Sequence, residues 1–102
     1  MARTKKTPAV HLSDVLKSIQ AGHLVHLPDL HMCTMDASET DVLSLTMMLK
    51  QMRRRHLHDF VQYKTPEKRE LAWAKADKCQ AGLFMITKDD RYNAAQKYTD
   101  AI

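Results

Sequence analysis

The chain has 102 residues, with 16 Lys or Arg against 12 Asp or Glu, so its formal charge is +4. Its composition, 44% hydrophobic and 27% charged, is that of a globular protein, and its length excludes a second domain. No apolar run reaches the ~18 residues of a membrane span, no signal-peptide core follows the N-terminus, and the two cysteines are far apart, so we expect a cytoplasmic protein without a cofactor or a membrane partner.

The first residues predict a basic arm. Residues 1–10 contain three cationic side chains and a proline but little that is apolar, so we expect a flexible arm ahead of a single helical domain that covers residues 11–102. A short helix is then predicted, with Ser13 as its N-cap and Gly22 as its C-terminal stop.

Residues 23–32 lack a helical period, and Pro28 is unfavourable inside a helix, so we predict an extended segment there. The segment and its neighbour hold four side chains of the types that bind zinc: His23, His26, His31 and Cys33. No second pair of close ligands matches them elsewhere. We interpret the histidines as partly exposed side chains, and a metal role for this stretch stays open.

A long helix is predicted from Ser38 to about Tyr63. Ser38 and Asp41 resemble a capping box at its start. Apolar or aromatic side chains and one histidine then recur at spacings of three and four, which places them on one stripe: Val42, Leu45, Leu49, Met52, His56, Phe60 and Tyr63. For His56 we favour a hydrogen-bonded core position over a ligand-facing or pH-sensitive one.

Thr65, Pro66 and Glu67 predict that a second long helix starts immediately afterwards and runs to about Lys88, which gives an antiparallel helical hairpin. This second helix is apolar on three sides, so we expect another helix or another copy of the chain to cover it, and hence an oligomer. The pair Ala81 and Gly82 favours close helix approach. A C-terminal helix is predicted after Asp89 or Asp90, with a docking face of Tyr92, Ala95, Tyr98 and Ile102.

The best candidates for binding are cations beside an aromatic ring. Lys50, Arg53 and Arg54 share one flank of the first long helix, and Lys68 and Arg69 precede Trp73 on the second, with Lys64 between the two groups. Arginine beside a flat aromatic face suits phosphates and bases. A charged, solvated surface with Trp73 in the core is the competing interpretation.

Catalytic motifs are missing from the sequence. The two glycines, Gly22 and Gly82, cannot form a phosphate-binding loop, and no nucleophile motif or HExxH is present, so we do not expect an enzyme.

Residues 69–86, RELAWAKADKCQAGLFMI, resemble the second arm of the helical hairpin in phage-encoded sponges, which oligomerise and sequester cyclic or adenosine-derived nucleotide signals of bacterial immunity. Leu71, Ala72, Ala74, Ala81 and Phe84 fit the spacing of that family, in a segment that covers about a fifth of the chain. At two other positions the chain departs from the pattern, because Ala76 replaces a threonine and Lys78 replaces a leucine.

The resemblance implies a phage-type, anti-defence protein that binds a nucleotide without converting it. The residues we expect to bind it are Lys50, Arg53, Arg54, Lys68, Arg69 and Trp73. Two alternatives remain open at this point: a small basic regulator that binds nucleic acid, and an inhibitor that binds a host macromolecule. Because a charge of +4 is spread over all segments, we expect only weak, non-specific binding of nucleic acid.

Overall fold

The computed structural model describes residues 11–89, and every regular element within them is an α-helix. In chain order these are α1 (Leu12–Gln20), α2 (Leu27–Thr34), α3 (Glu39–Gln62) and α4 (Pro66–Thr87). The predicted all-α fold is therefore confirmed. Two predictions lie outside the described residues: the basic arm, residues 1–10, and the final helix with Tyr92, Ala95, Tyr98 and Ile102.

The two long helices form the predicted hairpin. The Ser38 hydroxyl accepts a hydrogen bond from the Asp41 backbone N–H at 3.1 Å, which satisfies one of the free donors in the first turn of α3. Only three residues separate α3 from α4, which begins with Pro66, where a missing N–H costs nothing. The α4 helix ends at Thr87, and its C-cap Lys88 has a left-handed backbone at φ 58°.

The first helix ends as predicted but starts earlier. Gly22 has φ +87°, and the His23 and Gly22 N–H groups donate to the carbonyls of Ser18 and Ile19, which is the Schellman pattern. His11, not Ser13, is the N-cap, so the prediction of Ser13 in that position is wrong.

The prediction of an extended segment at residues 23–32 is also wrong from Leu27 onward. The α2 helix starts at Leu27 with Pro28 in its first turn. A proline there replaces an N–H that has no helical partner, so it is tolerated, whereas in a helix interior it would break a hydrogen bond.

The α1 and α2 helices pack on each other, α1 against α3 and α2 against α4. They share one apolar core with the hairpin, whose buried members are Ile19, Val25, Leu30, Leu45, Leu49, Met52, Cys79 and Leu83. Gly82 allows the close approach that its sequence predicts, because a Cβ there would lie 2.8 Å from Leu30 Cδ2 of α2. One apolar side of α4 is therefore buried by α2 of the same chain.

The three apolar sides of α4 have different environments. One stripe is buried: Ala72, Ala76, Cys79 and Leu83. On the other sides Leu71 is 53% and Phe84 is 41% exposed. Among the described residues, no helix combines the length and the apolar character that crossing a membrane requires.

Candidate functional site

One face of the hairpin is left uncovered by α1 and α2. Position 82 of α4 faces α2, because a Cβ there would contact Leu30. Trp73 lies nine residues earlier on the same helix, and at ~100° per residue this spacing places Trp73 on the opposite side of α4. On α3, the partly buried Met48 belongs to the core on the covered side. We call the side of the hairpin that carries Trp73 the open face.

A groove lies on the open face beside the turn between α3 and α4, and we call it the tip groove. It has a volume of about 510 Å³ and is lined by Phe60, Lys64, Pro66, Arg69, Glu70 and Trp73. The Phe60 and Trp73 rings lie 4.9 Å apart between centroids, tilted by 49°, which is favourable aromatic geometry. The two helices thus meet here through an aromatic pair that is partly exposed to solvent.

Arg69 contacts the aromatic pair. The guanidinium carbon of Arg69 lies 4.6 Å from the centroid of the Phe60 ring, within the range of a cation–π contact. This contact holds the planar Arg69 fork at the groove while its side chain remains exposed. Lys68 does not line the tip groove, and its ammonium lies 5.9 Å from the centroid of the Tyr63 ring.

A second groove lies further along α3, and we call it the middle groove. It is lined by Met47, Lys50, Gln51, Arg53 and Arg54. The predicted cationic flank is therefore a real grouping, because all three of its members line one groove. Lys50 and Arg54 are exposed, whereas Arg53 is only 5% exposed.

Arg53 is part of the interface between the long helices. Its Nη1 donates a hydrogen bond of 2.6 Å to Oε1 of Gln80, which is itself buried in α4. Hydrogen bonds that involve a charged group are stronger than neutral ones, so this bond fixes the guanidinium at the floor of the middle groove. The neighbouring Cys79 thiol is also buried, and burial raises its pKa to about 12 although the charge of Arg53 acts in the opposite direction.

The structure therefore places the six predicted binding residues in three locations. Lys50, Arg53 and Arg54 line the middle groove, and Arg69 and Trp73 line the tip groove. Lys68 lines neither.

The role of Phe60 was not predicted from the sequence, in which Phe60 belongs to the apolar stripe of α3. Phe60 instead lines the tip groove and supports Arg69. The signal that points to it is the register of the hairpin: because the turn is short, Phe60 lies opposite Trp73 on the neighbouring helix.

The histidines show no ligand cluster. His23, His26 and His31 are exposed, and His26 Nδ1 lies 3.2 Å from an oxygen of Asp29. Within residues 11–89, no three His, Cys, Asp or Glu side chains are grouped in a way that could hold a metal ion.

His56 is buried on α3, as its position in the apolar stripe predicts. Burial lowers the pKa of its imidazole, and the positive charges of Lys75 and Arg55 lower it further, while Asp59 acts in the opposite direction. His58, two residues later, is exposed and points away from it.

Comparisons of the chain with protein-family models, with curated proteins and with solved structures found no match.

Proposed function

We propose that the protein binds a phosphate-bearing nucleotide in the tip groove and does not convert it. The observation that carries the proposal is the stack of the Arg69 guanidinium on Phe60 beside the partly exposed ring of Trp73. An aromatic face accepts a nucleobase, and an arginine fork binds a phosphate through two parallel hydrogen bonds.

The other residues of the groove suit the same ligand. Lys64 adds a second positive charge beside Arg69, and the carboxylate of Glu70 is an acceptor for a ribose hydroxyl or a base amine. A protein that holds such a ligand without reaction withdraws it from solution, which is the sequestering role that the resemblance to nucleotide sponges implies.

Trp73 provides a direct measurement, because it is the only tryptophan in the chain. Stacking of a base should quench its fluorescence during titration with adenine nucleotides, cyclic dinucleotides, cyclic oligoadenylates and ADP-ribose derivatives. Arg69→Ala should weaken binding by about one to two decades, because one charge-assisted contact contributes ~1.5–3 kcal/mol. The melting temperature should fall less than in a core variant, since the exposed cation–π contact of Arg69 with Phe60 contributes only ~0.5–1 kcal/mol.

Arg55→Ala is the matched control, because it removes an exposed cation that lines neither groove. It should leave the affinity unchanged. Failure of every nucleotide to bind below ~100 μM, or duplex DNA that binds more tightly than all of them at physiological salt, contradicts the proposal.

A further inference from the structure

The tip groove and the middle groove lie on the same side of the interface between α3 and α4. Phe60 pairs with Trp73 in the tip groove, and Arg53 pairs with Gln80 at the floor of the middle groove. On each helix the two positions are seven residues apart, so they differ by only ~20° in direction and by about 10 Å along the axis. The two pairs are thus stacked above each other along the open face.

The two grooves differ in chemistry. The tip groove offers two aromatic rings and the Arg69 and Lys64 charges. The middle groove offers Lys50 and Arg54 on the α3 side, and none of the described residues that line it is aromatic. A base therefore has a stacking surface only at the tip, whereas an anionic group is attracted to both grooves.

Arg53 distinguishes the middle groove from an ordinary row of surface cations. Arg53 is only 5% exposed and its guanidinium is held by the bond to Gln80, yet it lines the groove together with Lys50 and Arg54. A fixed charge at the floor loses little side-chain freedom when an anion arrives, and it acts in a less polar environment than an exposed lysine does.

We infer that one ligand occupies both grooves, with its base at Trp73 and a distal phosphate group at Lys50 and Arg54. This inference rests on the proposed function and narrows its ligand class. Lys50 and Arg54 precede Phe60 on α3 by ten and six residues, or ~15 and ~9 Å along the helix axis, so we expect the ligand to carry phosphate at more than one position. Nucleoside triphosphates and linear dinucleotides both present this chemistry.

The test compares AMP, ATP and the linear dinucleotide pApA by quenching of Trp73 fluorescence. At least one of ATP and pApA should bind the native protein at least tenfold more tightly than AMP. Higher affinity for ATP indicates a polyphosphate as the source of the distal phosphate, and higher affinity for pApA indicates a dinucleotide. In the double variant Lys50→Ala/Arg54→Ala this advantage should disappear, while the affinity for AMP stays unchanged.

A second double variant, Lys17→Ala/Arg55→Ala, controls for net charge. It removes two exposed cations that line neither groove, so the tenfold advantage should persist in it. Loss of the advantage in both variants would mean that only the overall charge matters, which overturns the inference.

The two proposals fail in different ways. If AMP, ATP and pApA bind with equal affinity, or if Lys50→Ala/Arg54→Ala weakens all three equally, the inference is wrong and binding at the tip groove stands. If none of the three quenches Trp73 but another nucleotide of the wider panel does, the inference is wrong and the proposed function stands. If no nucleotide of the panel quenches Trp73, both fail.

Discussion

Two buried residues of α3 carry polar side chains into the interface with α4. Arg53 and His56 are each 5% exposed, and they lie one helical turn apart. Gln80 stabilises the charge of Arg53 through a short hydrogen bond. A positive charge on His56, by contrast, is disfavoured, because burial and the charge of Lys75 both lower its pKa.

His56 therefore makes folding dependent on pH. Its pKa is lowered in the folded state, so the unfolded chain, with an ordinary histidine pKa near 6.5, binds more protons as the pH falls through that value. The contribution of neutral His56 is present above pH ~6.5 and is lost as the pH falls toward the folded pKa. The limiting slope for one proton is ~1.4 kcal/mol per pH unit.

Urea unfolding of the native chain and of His56→Gln at pH 7.5 and pH 5 measures this effect. The native chain should lose more stability than the variant, because glutamine does not titrate. The other five histidines are exposed and common to both proteins, so their contribution cancels in the difference. Equal losses in the two proteins would contradict the assignment.

At the scale of elements, the close packing of α2 on α4 requires a glycine at position 82. Gly82 of α4 faces Leu30 of α2, which is fully buried, and a Cβ at position 82 would lie 2.8 Å from Leu30 Cδ2 and 3.4 Å from Leu49 Cδ1. The cost of glycine within a helix, ~1 kcal/mol relative to alanine, is offset by the closer packing of α2.

Gly82→Val should destabilise the protein by ~1–3 kcal/mol through overpacking against Leu30. Ala74→Val is the control, since it places the same side chain at an exposed position of the same helix. In a Leu30→Ala background, where space is available, the cost of Gly82→Val should fall, because the two residues are in contact. Chemical denaturation of Gly82→Val, Ala74→Val, Leu30→Ala and the double variant Leu30→Ala/Gly82→Val measures this coupling. If Gly82→Val lowers the free energy of unfolding equally in both backgrounds, the contact with Leu30 does not cause the destabilisation.

Local signals predicted the elements best where a cap or a period was complete. Ser38, Gly22 and Pro66 each mark a helix end correctly, because capping and backbone geometry act within a few residues. Pro28 misled the prediction of α2, since a proline marks a helix start as readily as it breaks a helix interior.

The candidate site was predictable in its residue types and not in its arrangement. Arg69 and Trp73 were identified from their chemistry, but Phe60 joins them only through the register between two helices. The burial of Arg53 likewise depends on Gln80, which lies 27 residues away along the chain. Such pairings arise from packing, which a single stripe pattern does not encode.

At the scale of the whole molecule, the described chain has one face that α1 and α2 cover and one that they do not. The open face carries the two cationic grooves, and Met47, which lines the middle groove, is 62% exposed. Leu43, one turn before Met47 on α3, is 59% exposed, and Phe84, which at eleven residues after Trp73 on α4 differs from it by only ~20° in direction, is 41% exposed. Exposed apolar side chains on one face are typical of an interaction surface. The prediction of an oligomer was based on all three apolar sides of α4. Because one of them is buried within the chain, we now base it on the exposed apolar side chains of the open face.

We predict that the protein is a dimer at micromolar concentration and that Met47→Glu or Phe84→Glu converts it to a monomer. A carboxylate placed in an apolar interface must lose its hydration without gaining a partner, which opposes association. Because both positions are exposed within one chain, the melting temperature of the dissociated chain should not fall to that of a core variant. Leu83→Lys provides the comparison, since Leu83 is fully buried and a charge there should unfold the chain itself. Light scattering and thermal melting of the native chain and the three variants distinguish these outcomes. An interface worth ~8 kcal/mol stays associated at about 50 μM, so a native chain that is monomeric at that concentration would contradict the prediction.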